Sequence, residues 1–138
     1  YWLVIAGVVQ SERYQHKILE VAAKLGVAQR VVFAGPITEA EKKWYLQQCA
    51  AFAFPSLAEG FGLPVIEAMH YGKPVLLSKA TSLPEIGGPH AYYFNNFDAA
   101  HMSSLAAYAM HDVAQHHKAM PIQKWADQFD WDKAAQAY

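Results

Sequence analysis

The sequence is poor in cysteine and in charged residues, and it lacks long apolar runs. Its one cysteine, Cys49, excludes an internal disulfide framework and fits a reducing compartment. Charged residues make up 17% of the chain, with a formal net charge of −1, and the basic ones are scattered, so the basic patch typical of nucleic-acid-binding proteins is absent. No apolar run approaches the roughly 20 residues that cross a bilayer, and no signal peptide is visible. We therefore expect a cytoplasmic protein with no nucleic-acid partner.

Hydrophobic residues make up 54% of the 138 positions, enough to bury the core of one domain. Short apolar runs alternate with longer segments of helical periodicity. This alternation predicts an α/β fold, a Rossmann-like parallel sheet with helices on both faces, because crossover helices between parallel strands cover the sheet. After the fifth run, two extra C-terminal helices follow at about 98–116 and 122–138. The predicted strands are Trp2–Gly7, Val31–Gly35, Ala51–Phe54, Pro74–Ser78 and Ala91–Phe94.

Capping residues mark where several helices begin. The segments Thr38–Glu41 and Ser82–Glu85 both have the capping-box pattern, a hydroxyl at the cap and a carboxylate three residues later. Another helix is expected from Pro64 to Gly72. Proline is suitable at its start because the amides of the first turn have no partner within the helix.

The segments that follow the strands are the candidate binding segments, because ligands of open parallel sheets bind beyond the carboxyl ends of the strands. Glycines, hydroxyl groups and two glutamates concentrate there. We also expect the segment 79–82 to adjoin the turn that contains Glu59. The segments are 7–11, 35–38, 55–63, 79–82 and 95–98.

Two glutamates, Glu59 and Glu67, flank a glycine-rich turn that leads into a helix. Gly60 and Gly62 let the backbone approach a ligand closely and adopt positive φ, and the amides of a helix N-terminus favour an anion such as a phosphate. Because acids repel a phosphate, the glutamates should instead face neutral hydroxyls, Glu67 those of a ribose and Glu59 those of a sugar beyond the distal phosphate. A purely structural role, a glutamate near a helix dipole beside turn-forming glycines, also fits this spacing.

The stretch PSLAEGFGLPVIEAMHYGKPVLLSKATSLPE, residues 55–85, resembles the donor-binding signature of the retaining glycosyltransferases with the GT-B fold, the glycosyl transferase group 1 family. Glu59 and Glu67 match its Glu-x7-Glu pattern, and the segment Gly60–Pro64 between them is typical of it. Gly-x-Pro-Val at 72–75 and Ser-Leu-Pro-Glu at 82–85 fall in the family's order. The resemblance runs from the strand that ends at Gly7 to Phe129–Trp131, which is similar to the start of the family's final helix.

The resemblance implies that residues 1–138 are most of the C-terminal nucleotide-sugar-binding domain of a two-domain enzyme. The N-terminal acceptor domain and the first strand of this domain are expected upstream of this fragment. Glu67 is expected to bind the ribose hydroxyls, and Glu59 is the expected catalytic residue, in contact with the donor sugar. No metal and no cofactor is expected. The expected substrate is a nucleotide-diphosphate sugar such as a UDP- or GDP-sugar. The other expected donor-binding residues are Gly60, Phe61, Gly62 and Leu63 at the sugar and phosphates, and Gly35, Pro36 and Ile37 beside the base.

The resemblance also implies a mechanism and partners. The sugar is transferred with retention, by front-face attack in which the departing phosphate takes the acceptor's proton and Glu59 positions the sugar; a double displacement through Glu59 is the alternative. The acceptor, a sugar or lipid-linked sugar of polysaccharide biosynthesis, would bind the other domain, with peripheral association at the inner face of the membrane. The arginine and lysine that the family directs at the diphosphate lie upstream of Tyr1, so the isolated fragment is expected to be inactive.

Other functions compete with this one. A non-catalytic nucleotide-sugar-binding module would use the same site without turnover. A dinucleotide-dependent oxidoreductase is excluded because the segment Ala6–Gln10 lacks the second and third glycines of a pyrophosphate-binding turn. A nucleotide-sugar epimerase would lack the Glu-x7-Glu pattern. A zinc site formed by His111, His116 and His117 is disfavoured because their spacing does not place them on one helix face.

Overall fold

The computed structural model describes residues 1–129, and the chain forms two compact units, Tyr1–Lys43 and Trp44–Tyr138. The first unit contains β1 (Leu3–Ala6), α1 (Glu12–Lys24), a 3₁₀ turn (Ala28–Arg30) and β2 (Val31–Gly35), and α2 (Glu39–Gln48) spans the boundary. The second contains β3 (Phe52–Phe54), α3 (Leu63–His70), β4 (Val75–Leu77), α4 (Leu83–Gly87), a 3₁₀ turn (Gly88–His90), β5 (Tyr92–Tyr93), α5 (Ala99–Gln115) and α6 (Ala119–Ala126).

The strands confirm the Rossmann-like α/β prediction, since each predicted apolar run contains a strand and every pairing is parallel. Hydrogen bonds among residues 1–129 define a two-stranded sheet, β1-β2, and a three-stranded sheet, β3-β4-β5. Apolar runs show where a strand lies but not which strand is its neighbour, and strands that are consecutive in a doubly wound chain need not pair.

In the first unit, an irregularity in the pairing of β1 and β2 shapes the end of β2. The register shifts between Ile5 and Ala6, so that Ala6 lies opposite Gly35. Gly35 adopts a positive φ of 68°, and its carbonyl accepts the N–H of Gly7 at 2.8 Å. The strand therefore turns sharply at Gly35, at the start of the segment expected beside a nucleotide base.

The core of the second unit surrounds β4 and α3. All three residues of β4 are buried, and α3 buries its apolar side against β4, α4 and α6. Each buried valine, leucine, isoleucine or methionine side chain among them contributes about 1.5–3 kcal/mol through its removal from water. Packing of this kind fixes the orientation of α3, so that Glu67 and the exposed Leu63 lie away from the fully buried side. The buried residues of α3 are Val65, Ile66, Ala68 and Met69.

A buried carboxylate, Asp112, fastens α5 to β5 and to the turn before α6. Its oxygens accept hydrogen bonds from the Tyr92 hydroxyl at 2.6 Å, from Nδ1 of His116 at 2.7 Å and from Nζ of Lys118 at 2.5 Å. The bonds from Lys118 and then Tyr92 lower the pKa of Asp112 from 3.8 to about 2. Desolvation and the same carboxylate raise the pKa of the Tyr92 hydroxyl.

The first C-terminal helix agrees with the sequence, since α5 spans Ala99–Gln115. The second differs from the prediction of 122–138: α6 begins earlier, at Ala119, and ends at Ala126, so residues 127–129 are not helical. The rest of the predicted last helix, from Asp130 to Tyr138 and including Trp131, lies outside the described residues. Over residues 1–129, no helix has the length and apolar character needed to cross a membrane.

Candidate functional site

The glycine-rich turn joins β3 to α3 in the second unit. Gly62 is the N-cap of α3, with φ 96° and ψ 37°, a left-handed conformation that an L-residue adopts only under strain. Its carbonyl accepts the N–H of Val65 at 2.9 Å and closes the first turn, and Pro64 stands in that turn without an amide hydrogen. Gly60, in contrast, has no positive φ and is exposed. Of the two glycines, only Gly62 adopts the positive φ expected for both. At Gly60, no atom lies within 4 Å of the position that a Cβ would occupy, so the backbone there is accessible.

The two glutamates lie on either side of this turn. Glu67 is one helical turn beyond Leu63, which places its Cα about 6 Å along the axis from the start of α3. It is half-buried. Glu59 precedes Gly60 and is also half-buried. A helix N-terminus therefore lies between two carboxylates, the arrangement expected for an anionic group whose substituents carry hydroxyls.

Three hydroxyl side chains from the end of β4 hold the 56–61 loop, and we call Ser78, Thr81 and Ser82 the hydroxyl clasp. Thr81 Oγ1 accepts the backbone N–H of Glu59 at 3.1 Å. Ser82 Oγ donates to the carbonyl of Phe61 at 3.1 Å, and the buried Ser78 donates to the carbonyl of Ser56. The expectation that segment 79–82 adjoins the Glu59 turn is confirmed.

One of the two capping-box predictions is confirmed and the other is wrong. At α2, the Thr38 N–H donates to Glu41 Oε2 at 2.8 Å, and the Glu41 N–H donates to Thr38 Oγ1 at 3.2 Å. At α4, Ser82 has helical angles of φ −77° and ψ −13° and forms no side-chain cap. Its hydroxyl is instead used by the clasp, because the carbonyl of Phe61 lies within reach.

The residues expected beside the base belong to the first unit. Gly35 ends β2, Pro36 is exposed and Ile37 is half-buried. Gly60, Phe61, Gly62, Leu63 and the two glutamates all belong to the second unit. The structure thus brings the two glutamates and the turn together on one framework, while the role of 35–37 in the same site stays a prediction.

His116, one of the three histidines considered for a zinc site, is used at the end of α5 as a partner of Asp112. His116 Nδ1 donates to a carboxylate oxygen of the buried Asp112 at 2.7 Å, and among residues 1–129 no group of three or more His, Cys, Asp or Glu side chains is arranged to hold an ion. That the protein needs no metal or cofactor stays a prediction. Beyond β4, the exposed Lys79 donates to Asn95 Oδ1 at 2.7 Å.

The clasp is the part of the site that sequence reasoning missed. Its signal was present, since three hydroxyl residues follow one strand at the expected ligand-binding edge. The capping-box interpretation assigned Ser82 a local role and left Ser78 and Thr81 without one.

Comparison with known proteins shows the family. The family model for glycosyl transferases group 1 matches residues 1–123. A serotype-specific mannosyltransferase WbdA of Escherichia coli is 37% identical over 115 residues, which are 83% of this chain and 14% of that protein. A D-inositol 3-phosphate glycosyltransferase of Streptomyces avermitilis is 30% identical over 121 residues, 86% of this chain and 26% of that protein. The chain therefore spans between about a seventh and a quarter of these relatives.

Solved structures share the fold. Anabaena Alr3699/HepE in complex with UDP superposes with a TM-score of 0.77 at 23% identity, over 92% of this chain and 36% of that one. The pneumococcal O-GlcNAc transferase GtfA in complex with UDP and GlcNAc superposes with a TM-score of 0.68 at 18% identity, over 99% of this chain and 29% of that one. Because the family model covers most of the sequence, and the parallel α/β architecture agrees with it, the chain belongs to the glycosyl transferases group 1 family.

Proposed function

We propose that this chain is the donor-binding, C-terminal domain of a GT-B-fold glycosyltransferase that transfers a sugar, with retention, from a nucleotide-diphosphate sugar to an acceptor hydroxyl. The observation that carries the proposal is the helix N-terminus at Gly62 between Glu59 and Glu67. The diphosphate binds the amides of the glycine-rich turn, Glu67 accepts the ribose hydroxyls, and Glu59 accepts hydroxyls of the sugar. Gly35, Pro36 and Ile37 contact the base.

Catalysis follows from what changes as the anomeric bond breaks. Negative charge grows on the leaving phosphate, so amides and a helix dipole already fixed there stabilise the transition state more than the ground state. Glu59 orients the sugar, and the leaving phosphate takes the acceptor's proton. Because Thr81 Oγ1 holds the Glu59 N–H in place, the glutamate is positioned before the donor arrives. A double displacement would instead need Glu59 to form a glycosyl ester.

The names of the relatives and solved structures suggest which donors to test first. Several relatives are named mannosyltransferases, and HepE is described in complex with UDP-glucose. GDP-mannose and UDP-glucose are therefore the first probes. The acceptor, a sugar or lipid-linked sugar, binds a further domain, and we place the enzyme in the cytoplasm with peripheral attachment to the membrane.

Titration of the chain with UDP, GDP, ADP and the two nucleotide sugars, followed by NMR, tests the donor site. Glu67→Ala should weaken nucleotide binding by about 2–3 kcal/mol, because a pair of charge-assisted hydrogen bonds is lost. That is roughly 30- to 150-fold in Kd. Glu59→Ala should spare the bare nucleotide and weaken only the nucleotide sugar. Glu85→Ala, which removes an exposed glutamate from the first turn of α4, is the matched control.

Two results would contradict the proposal. Equal nucleotide affinity of the Glu67→Ala and Glu85→Ala proteins would remove Glu67 from the site. Equal losses for nucleotide and nucleotide sugar in Glu59→Ala would refute the division between the two glutamates. Retention is tested separately in the enzyme that carries this domain: the anomeric configuration of the product, read from its one-bond C1–H1 coupling, must be the same as that of the donor.

A further inference from the structure

Thr81 combines an unfavourable backbone conformation with a specific contact. Its φ is 49°, in the left-handed region, which β-branched residues rarely adopt. Among the described residues outside glycine, only His117 shares a positive φ. Thr81 is exposed, so packing of its side chain into the core does not explain the conformation. Its hydroxyl, however, accepts the N–H of Glu59 across 22 residues of sequence.

Strain at such a position is kept when the rest of the structure requires it. Both neighbours of Thr81 in the clasp also reach the same loop, Ser82 to the carbonyl of Phe61 and Ser78 to that of Ser56. The three bonds alternate between carbonyl and amide groups at residues 56, 59 and 61, so they fix the loop along its length. Thr81 supplies the contact at Glu59 itself, where a small shift of the backbone would displace the carboxylate.

We propose that Thr81 is a positioning residue for donor-sugar recognition: its left-handed backbone places Oγ1 to hold the Glu59 amide, and thereby the Glu59 carboxylate, against the sugar. This inference rests on the proposed function of Glu59. Ser78 anchors the beginning of the loop and Ser82 its end, so Thr81 controls the sugar end of the site rather than the nucleotide end, which belongs to Glu67.

Three substitutions at position 81 separate positioning from structure. Thr81→Val removes the hydroxyl and keeps the side-chain shape and the backbone strain. Thr81→Ser keeps the hydroxyl. Thr81→Gly removes the hydroxyl and relieves the strain, so it should not destabilise the fold through φ. Ser103→Ala, which removes an exposed hydroxyl that donates to the carbonyl of Ala100 on α5, is the control for loss of a hydroxyl elsewhere.

The measured quantity is the ratio of Kd for the nucleotide to Kd for its nucleotide sugar, with GDP against GDP-mannose and UDP against UDP-glucose. Loss of one hydrogen bond should lower this ratio about three- to tenfold in Thr81→Val and Thr81→Gly, with the nucleotide Kd unchanged. Thr81→Ser should recover most of the ratio, and Ser103→Ala should match the wild type. Thermal unfolding of each variant is measured alongside.

The outcomes distinguish this inference from the proposed function. An unchanged ratio in Thr81→Val and Thr81→Gly, with a lowered ratio in Glu59→Ala, overturns the positioning role and leaves the donor site standing. Parallel loss of nucleotide and nucleotide-sugar affinity together with a lower Tm also overturns it, because that is what a merely structural residue would show. If the full-length enzyme that carries this domain, with its upstream arginine and lysine, binds neither probe, and its Glu67→Ala variant is indistinguishable from it, the proposed function is overturned and this inference with it.

Discussion

Alanine at Gly62 and alanine at Gly60 should affect different properties, although the two glycines lie in one turn. Gly62 has φ 96°, and a Cβ built there would lie 3.2 Å from Cδ2 of Leu83. The conformation alone costs about 1–3 kcal/mol for an L-residue. Alanine also restricts the unfolded chain, which stabilises the folded state by roughly 0.4–1 kcal/mol. Displacement of the fully buried Leu83 destabilises it by a further few tenths of a kcal/mol. We expect Gly62→Ala to lower the free energy of unfolding by about 1–2 kcal/mol.

Gly60→Ala is the matched control for stability. Its φ is not positive and a Cβ would meet no atom within 4 Å, so only the gain from the unfolded chain applies. The variant should unfold at the same or a slightly higher urea concentration than the wild type. Its donor affinity should fall nevertheless, because the methyl group occupies the surface over which a diphosphate would approach the backbone.

Urea unfolding followed by far-UV circular dichroism, with nucleotide titration of each folded variant, measures both properties. A Gly62→Ala protein as stable as the wild type would refute the strain argument. Full donor affinity in Gly60→Ala would show that the diphosphate does not approach the turn at that residue, and the phosphate position proposed above would have to be abandoned.

Two further predictions concern the framework behind the site. The pKa of Asp112 is lowered from 3.8 to about 2 by Lys118 and Tyr92, so its stabilising contribution is complete above about pH 4 and is lost as the pH falls towards 2. In Asp112→Asn, the urea concentration at half-unfolding should depend less on pH over that range. If its pH dependence is the same as in the wild type, the Asp112 carboxylate is not the source of the loss of stability at low pH. A Cβ at Gly88 would lie 2.2 Å from Cζ2 of Trp125, at a φ of 50°. Gly88→Ala should therefore lower the free energy of unfolding, measured with urea, by about 2–4 kcal/mol. Trp125→Leu in the same chain should recover part of that loss. If the two substitutions change the free energy of unfolding additively, the clash is contradicted.

Local chemistry predicted much of this fold. Val31–Gly35 is a strand with the bounds expected from its apolar residues, and the Thr38–Glu41 capping box forms both of its reciprocal bonds. These features depend on residues within four positions of one another. The placement of Glu59 and Glu67 on either side of the turn before α3 follows for a similar reason, since one turn and one helix contain both residues, while their roles stay a prediction.

Most features that depend on distant residues were not predicted, although the proximity of segment 79–82 to the Glu59 turn was. Ser82 has the same local pattern as Thr38, but a carbonyl 21 residues earlier takes its hydroxyl, and no spacing rule reveals that competition. The choice of neighbour for each strand has the same origin, because hydrophobic runs do not identify their pairing partners. The strain at Thr81 is likewise invisible in a sequence that shows only a threonine after an alanine.

The hydroxyl clasp has a consequence for exchanging parts between related enzymes. The loop at 56–61 is held by side chains from another segment, each supplying one bond that a single codon change can remove. A chimaera that receives only residues 55–63 from a relative would inherit Glu59 without the hydroxyl groups that hold its loop in place. Under the proposed function, the determinants of sugar specificity are therefore discontinuous in sequence, and they should be exchanged as two segments, 55–67 together with 78–82.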